Sequence, residues 1–371
     1  MQEDPPPHIF EQTPDTLAAR FEQWGLPAYR ARQVLEWVYH HGIADPQRMT
    51  NLPKRERAAL TERMTFLRGA TVGHQRATDG TQKLLMEWAA PHGHEQRLKV
   101  LGDGALQTEC VMIPSESSEG RARKTACISS QVGCPVGCRF CASGLGGLDA
   151  NLTSGQIVEQ AWQLAQLEGV GRITNIVFMG MGEPLANFGA VTGAVRTLMA
   201  SWGMAISGRR ITISTVGLPT PMRRLADLQL PVTLAVSLHA PNDEVRRQLI
   251  PWAERVSVQQ LIDAGRYYFE HTGREVTLEY ILLRHVNDRP EHARELVEVA
   301  RELRSNINLI RYNEVKGMPF DRPTQADVQR FQQILRRGGV NVHIRASRGR
   351  DIAAACGQLR HEAQQARERV E

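Results

Sequence analysis

From Asp15 to about Phe66 the apolar positions recur every three to four residues: Leu17, Ala18, Phe21 and Trp24, then Ala31, Val34, Leu35, Val38 and Tyr39. That is the period of amphipathic helices, and Gly25, Pro27 and Gly42 punctuate them. Residues 1–14 are proline-rich and polar and read as a loose arm ahead of a helical accessory domain over 1–69. After residue 70 the pattern shortens to β-type runs such as 83–88 and 106–113, broken by Gly and Asp, which predict a β extension over 70–119. From Thr125 onward strands and helices alternate. Candidate strands fall at 125–129, 175–179, 210–214, 232–238, 276–282, 307–312 and 340–344. The clearest helix starts at Thr153 or Ser154, either of which can cap it, and carries Ile157, Ala161, Leu164 and Ala165 on one face. Repeated βα units predict an α/β core over 120–355, a parallel sheet closed or nearly closed into a barrel. Chemistry in such folds sits at the carboxyl ends of the strands.

Composition changes this picture little. With 371 residues and 42% apolar residues the chain supports a full core. Net charge is +5, and of 45 basic residues only Lys54, Lys83, Lys99, Lys124 and Lys316 are lysine. Arginine's planar fork suits phosphate and stacked bases, although an arginine-rich genome explains the bias as well. The first seven residues show neither a basic nor an apolar leader. No apolar run approaches the roughly 20 residues needed to span a bilayer. No membrane association and a cytoplasmic location are the expectation. In a reducing compartment, clustered cysteines read as metal-binding or catalytic.

Three of the six cysteines, Cys134, Cys138 and Cys141, form a C-x3-C-x2-C run just after the first core strand. Thiolates this close converge on one soft-metal centre, either zinc or iron–sulfur. A structural zinc takes four protein ligands, and no fourth Cys or His lies nearby. Three cysteines on a four-iron cluster leave one iron open for a ligand. The run resembles the signature of the radical S-adenosylmethionine (SAM) superfamily, in which that iron chelates SAM. One βα unit later, Met179-Gly180-Met181-Gly182-Glu183-Pro184 ends a strand and resembles the superfamily's SAM-binding Gly-Gly-Glu-Pro motif. Small residues admit close backbone approach, and a carboxylate accepts from an ammonium. A non-catalytic RNA-binding protein with a structural zinc is the reading from a different class.

Longer stretches carry a closer resemblance. Residues 127–134, 180–185, 237–242 and 355–359, read together, resemble the RlmN family, and the likeness runs from about residue 15 to residue 360. The resemblance implies a radical SAM partial (βα)6-type barrel with the helical domain and β extension, ending in a catalytic-cysteine tail over 356–371. It implies methylation of carbon 2 of adenine 2503 in 23S rRNA and of adenine 37 in some tRNAs. One [4Fe-4S] cluster and two SAM molecules would serve each turnover, with a flavodoxin-type electron donor and a monomeric enzyme. Gly182, Glu183, Ser214, Ser237, Leu238, His239 and Asn313 would surround SAM. For Ser214 and Asn313 the plain alternative is a strand-end cap, and for His239 a satisfied turn histidine. The Cfr methyltransferases, a sister group acting on carbon 8 of the same ribosomal adenine, share the cluster run and residues 355–357, whereas Pro184 favours the carbon-2 side.

Carbon 2 of adenine is electron-poor, so direct displacement of a methyl group from SAM cannot reach it. By the resemblance, Cys356 would carry the methyl group as S-methylcysteine and add it to the base as a carbon radical. Cys127 would then attack the Cys356 sulfur, forming a transient disulfide and releasing the product. Glu109, in the strand before the cluster, would remove the ring proton, with an ion-pair partner as its plain alternative. Glu116 and Glu119 belong to a polar insertion over 115–124 and would face solvent. Cys110 reads as a buried apolar filler.

Overall fold

The computed structural model describes residues 5–88, 106–116 and 120–359. The first four residues of the expected arm, Glu119, and the expected tail beyond Leu359 lie outside the described residues. Three helices lead the chain: α1 (Pro14–Gln23), α2 (Arg30–Tyr39) and α3 (Lys54–Arg63). Thr13 and Thr16 close a reciprocal capping box on α1, and Pro14 takes the first helical position, where its missing N–H costs nothing. Leu17, Phe21, Val34, Leu35 and Val38, the predicted apolar stripes, are buried.

The segment before α1 is not the loose arm that its prolines suggest. His8, Ile9 and Phe10 are wholly buried, and the Ile9 amide donates to the Thr65 carbonyl at 2.9 Å. Two large apolar side chains, each worth roughly 1.5–3 kcal/mol when buried, outweigh the polar composition around them. His8 Nε2 also lies 3.1 Å from Glu159 Oε2. Glu159 accepts from the amides of Arg68 and Gly69 at 3.0 and 2.9 Å, so one buried carboxylate clasps the amino-terminal segment to the core.

In the core, β1 (Gly69–Arg76), β2 (Gln82–Trp88), β3 (Leu106–Glu116) and β4 (Ala122–Cys127) pair antiparallel in sequence. β5 (Gln131–Gly133) and β6 (Leu148–Asn151) form a separate antiparallel pair that brackets the 134–147 loop. From β4 the sheet runs parallel through β7 (Asn175–Phe178), β8 (Ile211–Thr215), β9 (Thr233–Ser237), β10 (Val276–Leu282), β11 (Ser305–Arg311) and β12 (Val342–Arg345). The predicted strands coincide with these within a few residues. Among the described residues the parallel run has seven strands, one beyond six βα units, and the ten-stranded order is linear with β1 and β12 at its ends. The barrel is therefore partial, as expected. Every residue of β10 is buried, as a central strand covered on both faces requires.

The crossover helices are α4 (Ser154–Ala165), α5 (Phe188–Met199), α6 (Pro219–Asp227), α7 (Asp243–Leu249), α8 (Val258–Thr272), α9 (Pro290–Arg301) and α10 (Gln325–Arg337). Thr153 caps α4 through a box with Gln156. Beyond its apolar face, α4 turns Gln160 inward to exchange hydrogen bonds of 2.9 Å with both the amide and the carbonyl of Ser129. That fixes the chain as it leaves β4 toward the cysteine loop.

Candidate active site

A cavity opens at the carboxyl ends of the parallel strands, with about 870 Å³ of empty space including its open mouth. Cys134, Cys138 and Cys141 line it together. Their loop is shaped by Gly133 at φ 73°, where a Cβ would collide with the Gly147 carbonyl. The Cys134 amide donates to that same carbonyl at 2.7 Å. Burial pushes the Cys134 thiol up to about 12 and raises Cys138 and Cys141 as well. Left bare, the three stay protonated, and a metal must displace their protons. Among the described residues no three His, Cys, Asp or Glu side chains are set to hold a single metal ion. The three thiols share one cavity, and thiolates are ligands of soft metal centres.

Glu183, 4% exposed, lines the same cavity. Its Oε2 accepts from the Val216 amide at 2.7 Å and its Oε1 from the Leu185 amide at 3.0 Å. Burial still dominates and lifts its carboxyl to about 7. The glycines beside it line the cavity too, and they have a close neighbour in the protein itself. A Cβ on Gly182, at φ 101°, would sit 2.7 Å from the Gln131 Cβ, and one on Gly180 would sit 2.7 Å from Ser129 Oγ. Their smallness lets the 179–184 loop press against residues 128–131 of the protein itself.

Ser214 and Ser237, at the ends of β8 and β9, line the cavity with their hydroxyls 3.4 Å apart. His239 lines it too, at φ 59°. The Ile281 amide donates to its Nδ1 at 3.0 Å, which leaves the proton on Nε2, and its ring meets Phe140 edge-on at 5.0 Å. Burial, aided by the nearby Arg246 charge, holds this imidazole neutral, down to about 3. Both the turn-histidine and the cavity-lining readings of His239 apply. Leu238 departs from this set: its side chain lies in the main apolar core, 1% exposed, and its amide donates to the Glu279 carbonyl at 3.1 Å.

Cys356 lines the same cavity as the three loop thiols. Two contacts bring its segment there: the Ala142 amide donates to the Gly357 carbonyl at 2.8 Å, and Asn313 Nδ2 donates to the Cys356 carbonyl at 3.2 Å. Asn313 thus faces the Cys356 segment and a smaller pocket shared with it. Cys127 is buried just behind, in an apolar cluster with Val111, Ala354 and Leu359. Burial pushes its thiol up to about 12, the Cys356 thiol adds to that, and Arg345 opposes it. All six cysteines are free thiols, so no disulfide joins Cys127 to Cys356 here, and a standing disulfide bond is not a feature of this fold. Glu109 is not among the cavity-lining residues. It is paired with Lys83, Nζ to Oε1 2.6 Å, both side chains buried.

Comparison with known proteins bears on this arrangement. Residues 128–298 match the radical SAM superfamily and residues 8–66 match the ribosomal RNA large subunit methyltransferase N-terminal domain. The probable dual-specificity RNA methyltransferase RlmN of Salinibacter ruber is 45% identical over 348 residues, covering 92% of this chain and 90% of its own length. The dual-specificity RNA methyltransferase RlmN of Dichelobacter nodosus is 40% identical over 360 residues, covering 95% and 93%. The chain belongs to the RlmN family of radical SAM RNA methyltransferases. A solved radical SAM methyltransferase from Sphaerobacter thermophilus agrees in fold, with a TM-score of 0.87 at 42% identity over 96% of this chain and 99% of that one.

An RlmN-family enzyme uses a [4Fe-4S] cluster and SAM, and the cavity suits both. The three thiols and Glu183 line it together, and a carboxylate there can accept from an ammonium. Glu279 Oε2 on the cavity wall is a buried acceptor without a hydrogen bond, as a site for a donor-rich ligand would leave it, and Asn313 Oδ1 is likewise unpartnered beside the smaller pocket. Two charged cavity residues, Glu279 and Arg345, carry no motif that marks them. Glu279 breaks the apolar run of β10, and that interruption was the available signal. Arg345, at the end of β12, lies with Nη1 3.0 Å from Met179 Sδ and 3.9 Å from Glu279 Oε2. Nothing in the local pattern separates it from the other arginines. No helix among the described residues is long and apolar enough to cross a membrane.

Proposed function

We propose that this RlmN-family enzyme methylates carbon 2 of adenine 2503 in 23S rRNA and of adenine 37 in some tRNAs, in the cytoplasm, as a monomer fed by a flavodoxin-type donor. The observation that carries the reading is the free thiol of Cys356 on the wall of the cavity that also holds Cys134, Cys138 and Cys141. Bound together, the cluster and SAM supply a methyl group for a thiolate and a radical able to take hydrogen from that methyl.

In this reading Cys134, Cys138 and Cys141 are the cluster ligands, and Gly182, Glu183, Ser214, Ser237, His239 and Asn313 hold SAM. Leu238 contributes through its backbone, since its side chain belongs to the core. Cys356 carries the methyl group to the base. Cys127, packed against the segments either side of Cys356, takes the Cys356 sulfur and frees the methylated adenine. The arginine at 345 favours the thiolate of both cysteines. Glu109 shares the sheet face of Val111, which pairs with Cys127 across β3 and β4. From that face its carboxylate removes the ring proton.

Mass spectrometry of nucleosides from cells lacking the gene tests the reading. Loss of 2-methyladenosine from 23S rRNA and tRNA is expected. Loss of 8-methyladenosine instead would move the chain to the carbon-8 chemistry of the sister group.

A further inference from the structure

Arg246, on α7, is wholly buried. Three backbone carbonyls hold its guanidinium: Leu238 from Nε at 3.2 Å, Val256 from Nη1 at 3.2 Å and Val216 from Nη2 at 2.6 Å. Leu238 and Val216 follow β9 and β8 at the cavity end of the barrel. Among the described residues no carboxylate forms an ion pair with Arg246. Asp243, on the same helix, turns its Oδ1 to the Val258 amide at 2.7 Å. Carbonyl dipoles solvate a cation but do not neutralise it, and a buried charge lacking its counter-charge is strongly disfavoured.

The clamp borders the cavity, which Val216 lines. α7 packs beneath the cysteine loop, where the Arg139 amide donates to the Leu249 carbonyl at 3.0 Å. Leu249 and Ile250 share an apolar cluster with Val136, Phe140 and Cys138. Cys138 and Asp243 are the groups whose negative charge, when ionised, raises the Arg246 pKa, Cys138 the more strongly. Burial brings the guanidinium down only to about 10, so it is charged at neutral pH.

We propose that Arg246 is a positioning residue for the iron–sulfur cluster, a fixed buried cation that serves as its counter-charge and stabilises the reduced form. Three thiolates make the oxidised site net negative, and the electron that reduces it adds one more negative charge. In a low-dielectric setting a nearby cation favours the more negative state. The same cation helps keep His239 neutral, which confines His239 to donating from Nε2. This inference rests on the cluster assignment above.

EPR-monitored redox titration without SAM, alongside iron and acid-labile sulfide analysis, tests it on Arg246→Gln and Arg246→Lys. The Gln variant with full cluster content should show a reduced-to-oxidised ratio about tenfold lower at a fixed potential, about 59 mV for a one-electron couple. The Lys variant should stay close to the parent. If the Gln variant fails to hold a cluster while the Lys variant holds one, charge is again the cause and the proposal stands. An unchanged potential in a fully loaded Gln variant overturns it. So does equal behaviour of the two variants, whether shifted or cluster-free, because the carbonyl clamp and not the charge would then matter. A parent protein without iron and sulfide would instead bring down the cluster assignment.

Discussion

Lys83 and Glu109 form a buried ion pair across β2 and β3, Nζ to Oε1 2.6 Å. In the strand register Lys83 faces Val111 and Glu109 faces Leu85, so the two charges meet on a diagonal of one sheet face. The residue proposed as base therefore already has a cation in contact. Removing one member of a buried pair takes away a counter-charge and costs up to about 3–5 kcal/mol. Lys83→Met should destabilise by that amount in urea unfolding, and adding Glu109→Gln should recover much of the loss. Glu109→Gln alone should consume SAM yet release little methylated RNA. Normal product release would remove it from the reaction.

The loop itself offers three thiols and no fourth. Ala at Cys134, Cys138 or Cys141 should each abolish the brown cluster absorbance and all SAM cleavage. A Cys138→Ala protein with full iron content would refute the ligand set.

Cys127 and Cys356 should arrest different steps. Cys127→Ala should still methylate Cys356 and accumulate a covalent protein–RNA adduct, visible as a shifted band on a denaturing gel after anaerobic turnover. Cys356→Ala should form no adduct, lacking a methyl carrier. Free methylated RNA from Cys127→Ala would end the resolving role.

Glu183 supplies a pH signature. Burial raises its carboxyl from 4.5 to about 7, so the folded protein holds this proton more tightly than the unfolded chain. Its contribution to stability is complete below pH 4.5 and is lost as pH rises through about 7. Glu183→Gln should remove that slope from the melting temperature of the SAM-free protein. An ammonium needs the carboxylate, so SAM affinity should fall up to about tenfold per pH unit below 7 and level off above it. Equilibrium dialysis between pH 5.5 and 8.5 checks this, and a flat profile in the parent protein would exclude Glu183 as the ammonium partner.

Much of this protein is determined by the sequence alone, because the deciding forces are local. Helical and β periods, the Thr153 cap and the alternation of strands and helices report burial along short stretches, and they are visible without the fold. The cluster thiols are equally legible, since one tight loop brings Cys134, Cys138 and Cys141 to the same cavity whatever surrounds it. Other features depend on strand register and crossover packing between segments far apart in the chain, and only the tertiary structure decided them. Ile9 and Phe10 are buried because Thr65 and α4 provide a floor that no composition of residues 1–14 reveals. Leu238 turns into the core while Ser237 and His239 line the cavity, an alternation continued past the end of β9 whose cavity-facing side was set by the packing around the strand. The pairing of β2 with β3 put Lys83 on Glu109. The closure of β12 beside β11 brought Arg345 and Cys356 within electrostatic reach of Cys127.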